Sequence, residues 1–260
     1  MPPGPTRTPE PRLTSADWIR AIERESLALA AAAASAGWDR EVPTCPGWRV
    51  RDLVRHLGGV HRWATAHAAQ RRPGQMPKPE AERLMASWPN DPELLDWFRQ
   101  GWAGLVTTLA EAPADLNCWS FLPAPSPLAF WARRQAHETG IHRADAEAAL
   151  GAPGAFPVAL AADGVEELIF GFARRARLQL ASARTLTLQA TDSDESWALE
   201  LGPSRVTARR GWADSGCRVR GSAWQLFLLL WNRIRPDGLA VAGDPQVLKT
   251  WREEIQVTWD

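Results

Sequence analysis

Residues 50–69 have the sequence VRDLVRHLGGVHRWATAHAA, and this stretch decides the fold. Its apolar residues recur at intervals of three and four, which is the spacing of one face of an α-helix. That face holds Leu53, His56, Leu57, Val60, Ala64 and His67. Because His56 lies on an apolar stripe, we expect it to point into a helical core, where an imidazole needs a polar partner.

Three further long helices are predicted around this one. The segment Thr14-Ser15-Ala16-Asp17 resembles a capping box and begins a helix that runs to about residue 36. The segment Asn90-Asp91-Pro92-Glu93 begins another helix, which reaches about residue 111. A last helix covers roughly residues 128–150, and short or proline-rich connections separate all of them. This arrangement predicts a four-helix bundle.

The pattern changes after the break at residues 151–157. One more helix is predicted over 158–180, followed by short runs of alternating residues that are typical of antiparallel strands. These strands are predicted at 184–190, 197–201, 205–209, 217–220 and 239–242, with helices at 223–233 and 245–255. The predicted fold class is therefore mainly α followed by α+β. It comprises a disordered tail (1–12), a helical bundle (13–152) and a small α+β domain with an antiparallel sheet (153–260).

Composition narrows the classes of function. Lys and Arg number 30, as do Asp and Glu, so the formal charge is +0, which argues against a nucleic-acid partner. Three distant cysteines form no close pair, which disfavours both a disulfide framework and a thiolate metal site. The longest strongly apolar run, 223–231, is too short to span a membrane, and residues 1–12 lack an apolar signal segment. We therefore expect a cytoplasmic protein with no membrane partner; the oligomeric state stays open.

Residues 137–142 read HETGIH and hold the remaining candidate ligands. His137 and His142 are five residues apart, so they diverge by roughly 140° on a helix and cannot share one metal ion. Glu138 and His142, four residues apart, do share a face. Together with His56 they form a set of two histidines and one carboxylate, which suits Zn²⁺ or another divalent ion. Asp145, one turn beyond His142, is placed to orient an imidazole. The alternative is that His56 and Glu138 only form a hydrogen bond in the core.

Two separated motifs point to a family. The segment 42–63, VPTCPGWRVRDLVRHLGGVHRW, and the segment 137–147, HETGIHRADAE, resemble the mycothiol-dependent maleylpyruvate isomerase family. The segments 220–233 and 243–245 resemble the C-terminal domain of that family, which is similar to sterol-carrier folds. The resemblance implies a DinB-like metal-binding bundle. It also implies that His56, Glu138 and His142 are the metal ligands and that the attacking thiol comes from mycothiol rather than from the chain. The sequence departs from the family at Arg49, where Thr or Ser commonly caps the second helix.

Two further residues carry groups whose chemistry suits a functional site, Cys45 and Arg233. Cys45 is interpreted as a structural cysteine, because the sequence offers no base to activate it. Arg233, after the apolar helix, is a candidate to hold a substrate carboxylate by a bidentate contact. The resulting hypothesis is a metal- and mycothiol-dependent isomerase or S-transferase acting on a small electrophile that bears a carboxylate. The alternatives are a hydrolase that uses metal-bound hydroxide without a thiol, and a non-catalytic protein that binds a small ligand.

Overall fold

The computed structural model describes residues 13–176, 178 and 180–257. The tail predicted at 1–12 lies outside the described residues. Four long helices form a bundle: α1 (Ser15–Ala36), α2 (Val50–Ala69), α4 (Asp91–Ala110) and α5 (Pro127–Ala148). Within it α1 packs mainly against α5, and α2 packs mainly against α4. These bounds lie within a few residues of the predicted ones, because capping side chains or prolines mark where the helices begin.

Helix α5 is buried over nearly its whole length, yet it carries many polar side chains. A helix that is buried on every side is ordinarily apolar, because each buried polar group needs a partner. The buried polar and charged residues of α5 are Arg134, Gln135, His137, Glu138, Thr139, His142, Arg143 and Asp145. Such a concentration of buried charge in one helix marks it as the centre of the candidate site.

A short helix, α3 (Lys78–Met85), lies where the sequence predicts only a long connection. Pro79 is in its first turn, a position where proline is compatible with a helix. Helix α3 crosses α2 at Gly59, where an added Cβ would lie 2.6 Å from the backbone oxygen of Met85. The missing side chain at Gly59 thus allows α3 to approach α2 and brings Met85 beside the bundle.

The sequence predicts a single helix over 158–180, but the observed α-helix is shorter and continues with irregular turns. Helix α6 (Val158–Glu166) continues as a wide π-helical segment at Glu167–Phe172 and a 3₁₀ turn at Ala173–Arg175. Insertions of π-helix are frequent at functional sites. The helices that follow the strands are α7 (Ala223–Leu230) and α8 (Gln246–Glu254).

The described strands form one sheet. They are β1 (Arg184–Ala190), β2 (Ser196–Leu201), β3 (Val206–Arg210), β4 (Cys217–Gly221) and β5 (Ala240–Gly243). Their spatial order is β3-β2-β1-β4-β5. The sheet is antiparallel as predicted, except that β1 and β4 pair in parallel, with Leu188 opposite Val219. The chain after β3 crosses to the far side of β1, so β4 runs in the same direction as β1, which strand alternation does not reveal.

The two halves of the chain share a hydrophobic core. One cluster of buried residues joins α1 and α5 of the bundle to α6, α7 and the sheet, whereas a second cluster fills the space between α1, α2 and α4. The boundary predicted after residue 152 lies in the connection between α5 and α6. None of the helices within the described ranges has the length and apolar character needed to cross a membrane.

Candidate metal centre

His56 of α2 and Glu138 and His142 of α5 bring their ligand atoms together at one point. The Oε1 atom of Glu138 lies 3.5 Å from Nε2 of His56 and 3.2 Å from Nε2 of His142. All three ligand atoms lie within 4.8 Å of one another, and this is the one such group found among the described residues. The periodicity of two helices thus placed the same three residues together as the structure does.

The two separations between Glu138 and the histidines fit a tetrahedral metal site. Zinc binds histidine nitrogen and carboxylate oxygen at about 2.0–2.1 Å, so two ligand atoms on a tetrahedron lie about 3.3 Å apart. The distances of 3.2 and 3.5 Å are close to this value, whereas 3.5 Å is long for a direct hydrogen bond. A set of three ligands also leaves a position open for a further ligand.

Asp145 orients His142 from the side opposite the ligand atom. Its Oδ2 atom lies 2.9 Å from Nδ1 of His142. Burial opposes the protonation of His142, but its hydrogen bonds to Asp145 and Glu138 outweigh burial and raise the pKa to about 9. Burial likewise opposes ionisation of Asp145, but the Arg233 guanidinium and the contact with His142 hold the pKa of this carboxyl below its ordinary value. An anionic Asp145 accepts the Nδ1 proton of His142, so the proton that a metal ion would displace is the one on Nε2, which faces the ligand point.

Arg134 holds the second oxygen of Glu138. Its Nη2 atom lies 2.5 Å from Oε2 of Glu138, and its Nη1 atom contacts Glu167 in the π-helical segment. Burial opposes ionisation of Glu138, but the positive charge of Arg134 and the contacts with His142 and His56 keep its pKa well below the ordinary value. Arg134 is not among the predicted site residues, although its position four residues before Glu138 places both side chains on one helical face.

Both halves of the chain match one protein family in order. Residues 19–147 match the family described as "Mycothiol maleylpyruvate isomerase N-terminal domain", and residues 159–250 match the "MDMPI C-terminal domain". The chain belongs to the mycothiol-dependent maleylpyruvate isomerase family. This confirms the predicted resemblance, and with it the prediction that the chain is an enzyme.

Solved structures agree with this membership at the level of the fold. A crystal structure of the mycothiol-dependent maleylpyruvate isomerase superimposes with a TM-score of 0.61 at 16% identity, covering 88% of this chain and 93% of the other. A mutant of that enzyme, in which a histidine is replaced by alanine, gives a TM-score of 0.62 at 15% identity over the same shares of the two chains. No curated protein matches the sequence significantly.

In this member of the maleylpyruvate isomerase family, Arg233 reaches the site through Asp145. Its Nε atom lies 2.9 Å from Oδ1 and its Nη2 atom 3.1 Å from Oδ2 of Asp145, while Nη1 donates to the carbonyl oxygen of Trp231. The bidentate contact predicted for a substrate carboxylate is therefore made with a carboxylate of the chain itself. The role of Arg233 toward substrate stays a prediction, and the structure gives it a contact that fixes Asp145.

Cys45 lies beside the same aspartate in the loop before α2. Its Sγ atom is 3.4 Å from Oδ2 of Asp145, and Thr44 donates to Oδ1 at 2.6 Å. Burial, together with the negative charge of Asp145, raises the pKa of the Cys45 thiol to about 12. A thiol that stays protonated is a poor nucleophile, which agrees with the interpretation of Cys45 as a structural residue.

The remaining histidines lie away from the ligand point. His61 contacts the Thr139 hydroxyl at 2.9 Å, and burial lowers its pKa to about 3. His67 stacks on Trp131 with a ring separation of 5.2 Å. His137 pairs with Asp163 of α6 at 2.8 Å, so it faces away from His142, as the five-residue spacing predicts.

Helix α2 keeps a hydrogen bond at its N-terminus, although Arg49 stands where the family commonly has Thr or Ser. The carboxylate of Asp52 accepts a hydrogen bond from the backbone N–H of Arg49 at 2.9 Å. An arginine side chain has no acceptor to return the contact, so only half of a capping box is made. Helix α2 therefore begins where the sequence predicts, and His56 keeps its place.

Proposed function

We propose that the chain is a metal-dependent enzyme that uses a small thiol, mycothiol, to isomerise a small electrophilic substrate or to transfer the thiol to it. The observation that carries this proposal is the convergence of His56, Glu138 and His142 at separations of 3.2 and 3.5 Å. The ligand set of two histidines and one carboxylate favours zinc over Mg²⁺ or Ca²⁺, which prefer oxygen ligands.

When bound there, zinc would lower the pKa of a coordinated thiol and so favour the thiolate. The chain contributes the placement of its own ligands. Asp145 fixes the ring of His142, and Arg134 occupies Oε2 of Glu138 so that Oε1 is left for the metal. The ring of Trp48 lies 5.0 Å from that of His56 and 6.3 Å from that of His142, which keeps water from one side of the two imidazoles.

We place the reaction in the cytoplasm. The three cysteines of the chain are free, and a reducing compartment keeps both them and a thiol cofactor reduced.

Metal content is the first test of this proposal. Elemental analysis of the untagged protein, purified without added metal, should give about one zinc per chain, as expected for a single site with three protein ligands. Glu138→Gln should lose this zinc, whereas Glu111→Gln, an exposed residue at the end of α4, should retain it. The absence of zinc, even after incubation with the ion, would contradict the proposal and favour a non-catalytic binding protein.

Thiol dependence is the second test. Zinc-loaded protein should consume maleylpyruvate or dimethyl maleate only when mycothiol is present. Recovery of the thiol with a trans product would indicate an isomerase, and loss of the thiol into a thioether would indicate a transferase. Hydrolysis at the same rate without thiol would favour the metal-hydroxide hydrolase instead.

A further inference from the structure

A cavity of about 610 Å³ lies between the two halves of the chain. It is bordered by the loop before α2, by the segment 230–235 that ends and follows α7, and by α8 with the residues after it. Its volume is within the range usual for small-molecule sites. The cavity is not lined by His56, Glu138 or His142, so it is a place separate from the candidate metal centre.

The walls of this cavity are basic. Among the described residues, three arginines and no carboxylate line it. Arg233 is neutralised by Asp145, and Arg235 pairs with a neighbouring aspartate on the surface. Arg252 forms no ion pair within the described part of the chain, and its Nη1 atom donates to the carbonyl oxygen of Ile234 at 2.9 Å. The remaining N–H groups of the Arg252 guanidinium are therefore free to bind an anionic group.

Two adjacent residues of the cavity wall carry polar atoms without a partner. Trp231 and Asn232 both line the cavity. The Nε1 atom of the indole and the Oδ1 atom of the amide are buried, and neither has a hydrogen-bond partner among the residues that the structure describes. Buried polar atoms are nearly always paired, so these two suggest that a ligand completes them. The indole nitrogen only donates and the amide oxygen only accepts, whereas a hydroxyl group does both, so a ligand hydroxyl suits this pair.

One loop holds these groups close together. Ile234, whose carbonyl oxygen contacts Arg252, follows Asn232 by two residues, and two residues span at most about 7 Å of chain. An anionic group on Arg252 and a hydroxyl group at Asn232 can therefore belong to one small molecule. Leu168 and Ile255 add apolar surface to the walls, which favours a ligand with an apolar body.

We propose that this cavity is a second ligand site, which takes a small hydroxy acid with an apolar body. The carboxylate of the ligand pairs with the Arg252 guanidinium. Its hydroxyl group accepts a hydrogen bond from the indole N–H of Trp231 and donates one to the amide oxygen of Asn232. Its apolar body packs on Leu168 and Ile255. The inference goes beyond the proposed function, because binding at this site requires neither a metal ion nor a thiol.

Three related molecules test the two polar contacts separately. Mandelate carries a phenyl ring, a hydroxyl group and a carboxylate, whereas phenylacetate lacks the hydroxyl group and mandelamide lacks the charge. Binding of each to the full chain is measured by isothermal titration calorimetry. Mandelate should bind about tenfold more tightly than phenylacetate, because only its hydroxyl group pairs with the two buried atoms. It should also bind at least about tenfold more tightly than mandelamide, because only a carboxylate forms a charge-assisted hydrogen bond with Arg252.

Two variants assign these preferences to residues. Asn232→Gly removes the amide but keeps the left-handed backbone at this position (φ 61°), which glycine adopts readily. It should lose most of the preference for mandelate over phenylacetate. Arg252→Met keeps an apolar stem and should lose most of the preference for mandelate over mandelamide. The matched control is Arg218→Met, an equal loss of charge on β4 outside the cavity, which should keep both preferences.

The measurements are repeated on zinc-loaded protein and on protein that a chelator has freed of metal before dialysis. Mandelate should bind equally well to both. No binding of mandelate, equal affinity for the three molecules, or preferences that persist in both Asn232→Gly and Arg252→Met would overturn the second site. Binding that occurs only in the presence of zinc would assign mandelate to the metal centre and overturn it as well. A chain that holds no zinc but shows the expected preferences would refute the proposed function and retain the second site.

Discussion

Nδ1 of His142 lies 2.9 Å from Oδ2 of Asp145, and the same carboxylate forms a bidentate ion pair with Arg233. One buried aspartate of α5 thereby connects a candidate metal ligand to a residue that lies after α7. The geometry of the metal centre consequently depends on how the C-terminal half packs against the bundle. The first prediction follows from this contact.

Asp145→Asn should lower zinc affinity by about 10–100-fold, because an amide no longer fixes the tautomer and the orientation of His142. Affinity is measured by competition with a chelator. The matched control is Thr44→Val, which removes another hydrogen bond to Asp145 without altering the carboxylate that faces His142. An equal loss in both variants would show that Asp145 acts only through the general packing of the loop.

Arg134→Met should reduce zinc affinity as well as stability, because Oε2 of Glu138 would lose its partner and the carboxylate would be free to turn. The adjacent variant Arg133→Met is the control, since Arg133 pairs with Asp163 rather than with a candidate ligand. Each variant breaks an ion pair that is largely buried and should cost about 3–5 kcal/mol of unfolding free energy. Only Arg134→Met should change the zinc affinity. Unchanged affinity in that variant would refute the positioning role of Arg134.

Gly59→Ala should destabilise the protein by about 1–3 kcal/mol, the usual cost of overpacking. The added Cβ would lie 2.6 Å from the backbone oxygen of Met85 and push α3 away from α2. Gly104→Ala in α4 is the control: nothing lies within 4 Å of its Cβ position. That variant should gain about 0.5–1 kcal/mol from the lower backbone entropy of the unfolded chain. Urea denaturation measures the free energy of unfolding of both variants. If Gly59→Ala is as stable as the parent protein, α3 does not pack closely against α2.

Cys45 should resist alkylation by iodoacetamide at pH 8. Its thiol has a pKa raised to about 12, so it is almost entirely protonated at this pH. Peptide mapping by mass spectrometry gives the rate at this position, with free glutathione as the reference thiol. Cys45→Ala should keep the zinc content of the parent protein. Rapid labelling of Cys45 in the folded protein would contradict the structural interpretation and reopen its role as a nucleophile.

Asp163→Asn should make the free energy of unfolding less sensitive to a fall in pH. Burial opposes the ionisation of Asp163, but its contacts with His137 and Arg133 hold the pKa below the ordinary value. A lowered folded-state pKa means that the stabilisation is fully present above the unfolded-state pKa of about 3.9 and is lost as the pH falls below it. The variant should be less stable than the parent at pH 7, and this difference should shrink at pH 3.5. Urea denaturation at pH 7 and pH 3.5 measures the free energy of unfolding, with the exposed Asp96→Asn as the control variant. If parent and Asp163→Asn differ in stability by the same amount at both pH values, the prediction is wrong.

The bundle and the ligand set could be predicted because their signals are local. Helices α1, α2, α4 and α5 are long segments with a helical period, and capping residues and prolines mark their ends. His56 follows from the apolar face of α2, and Glu138 and His142 follow from a spacing of four residues on α5. Helical geometry therefore predicts that all three side chains point into the core of the bundle. They come together once α2 and α5 face each other.

Helix α3 and the parallel pairing of β1 with β4 could not be predicted from local sequence patterns. Helix α3 has eight residues and no buried side chain, so its apolar pattern is too short to identify a helix from the sequence. A strand has the same alternation whether its neighbour is parallel or antiparallel, so the sequence could not distinguish the direction of β4 relative to β1.

The long-range ion pairs around the candidate metal centre were decided by tertiary structure. Asp145 and Arg233 are 88 residues apart, and Arg134 and Glu167 are 33 apart, so neither pairing has a local signal. A buried charge must find a partner wherever packing supplies one. The sequence determined which residues could bind the metal, because helical spacing fixes direction. The packing of the two halves decided which of the buried charges around that site are neutralised by ion pairs, because the partners come from distant segments.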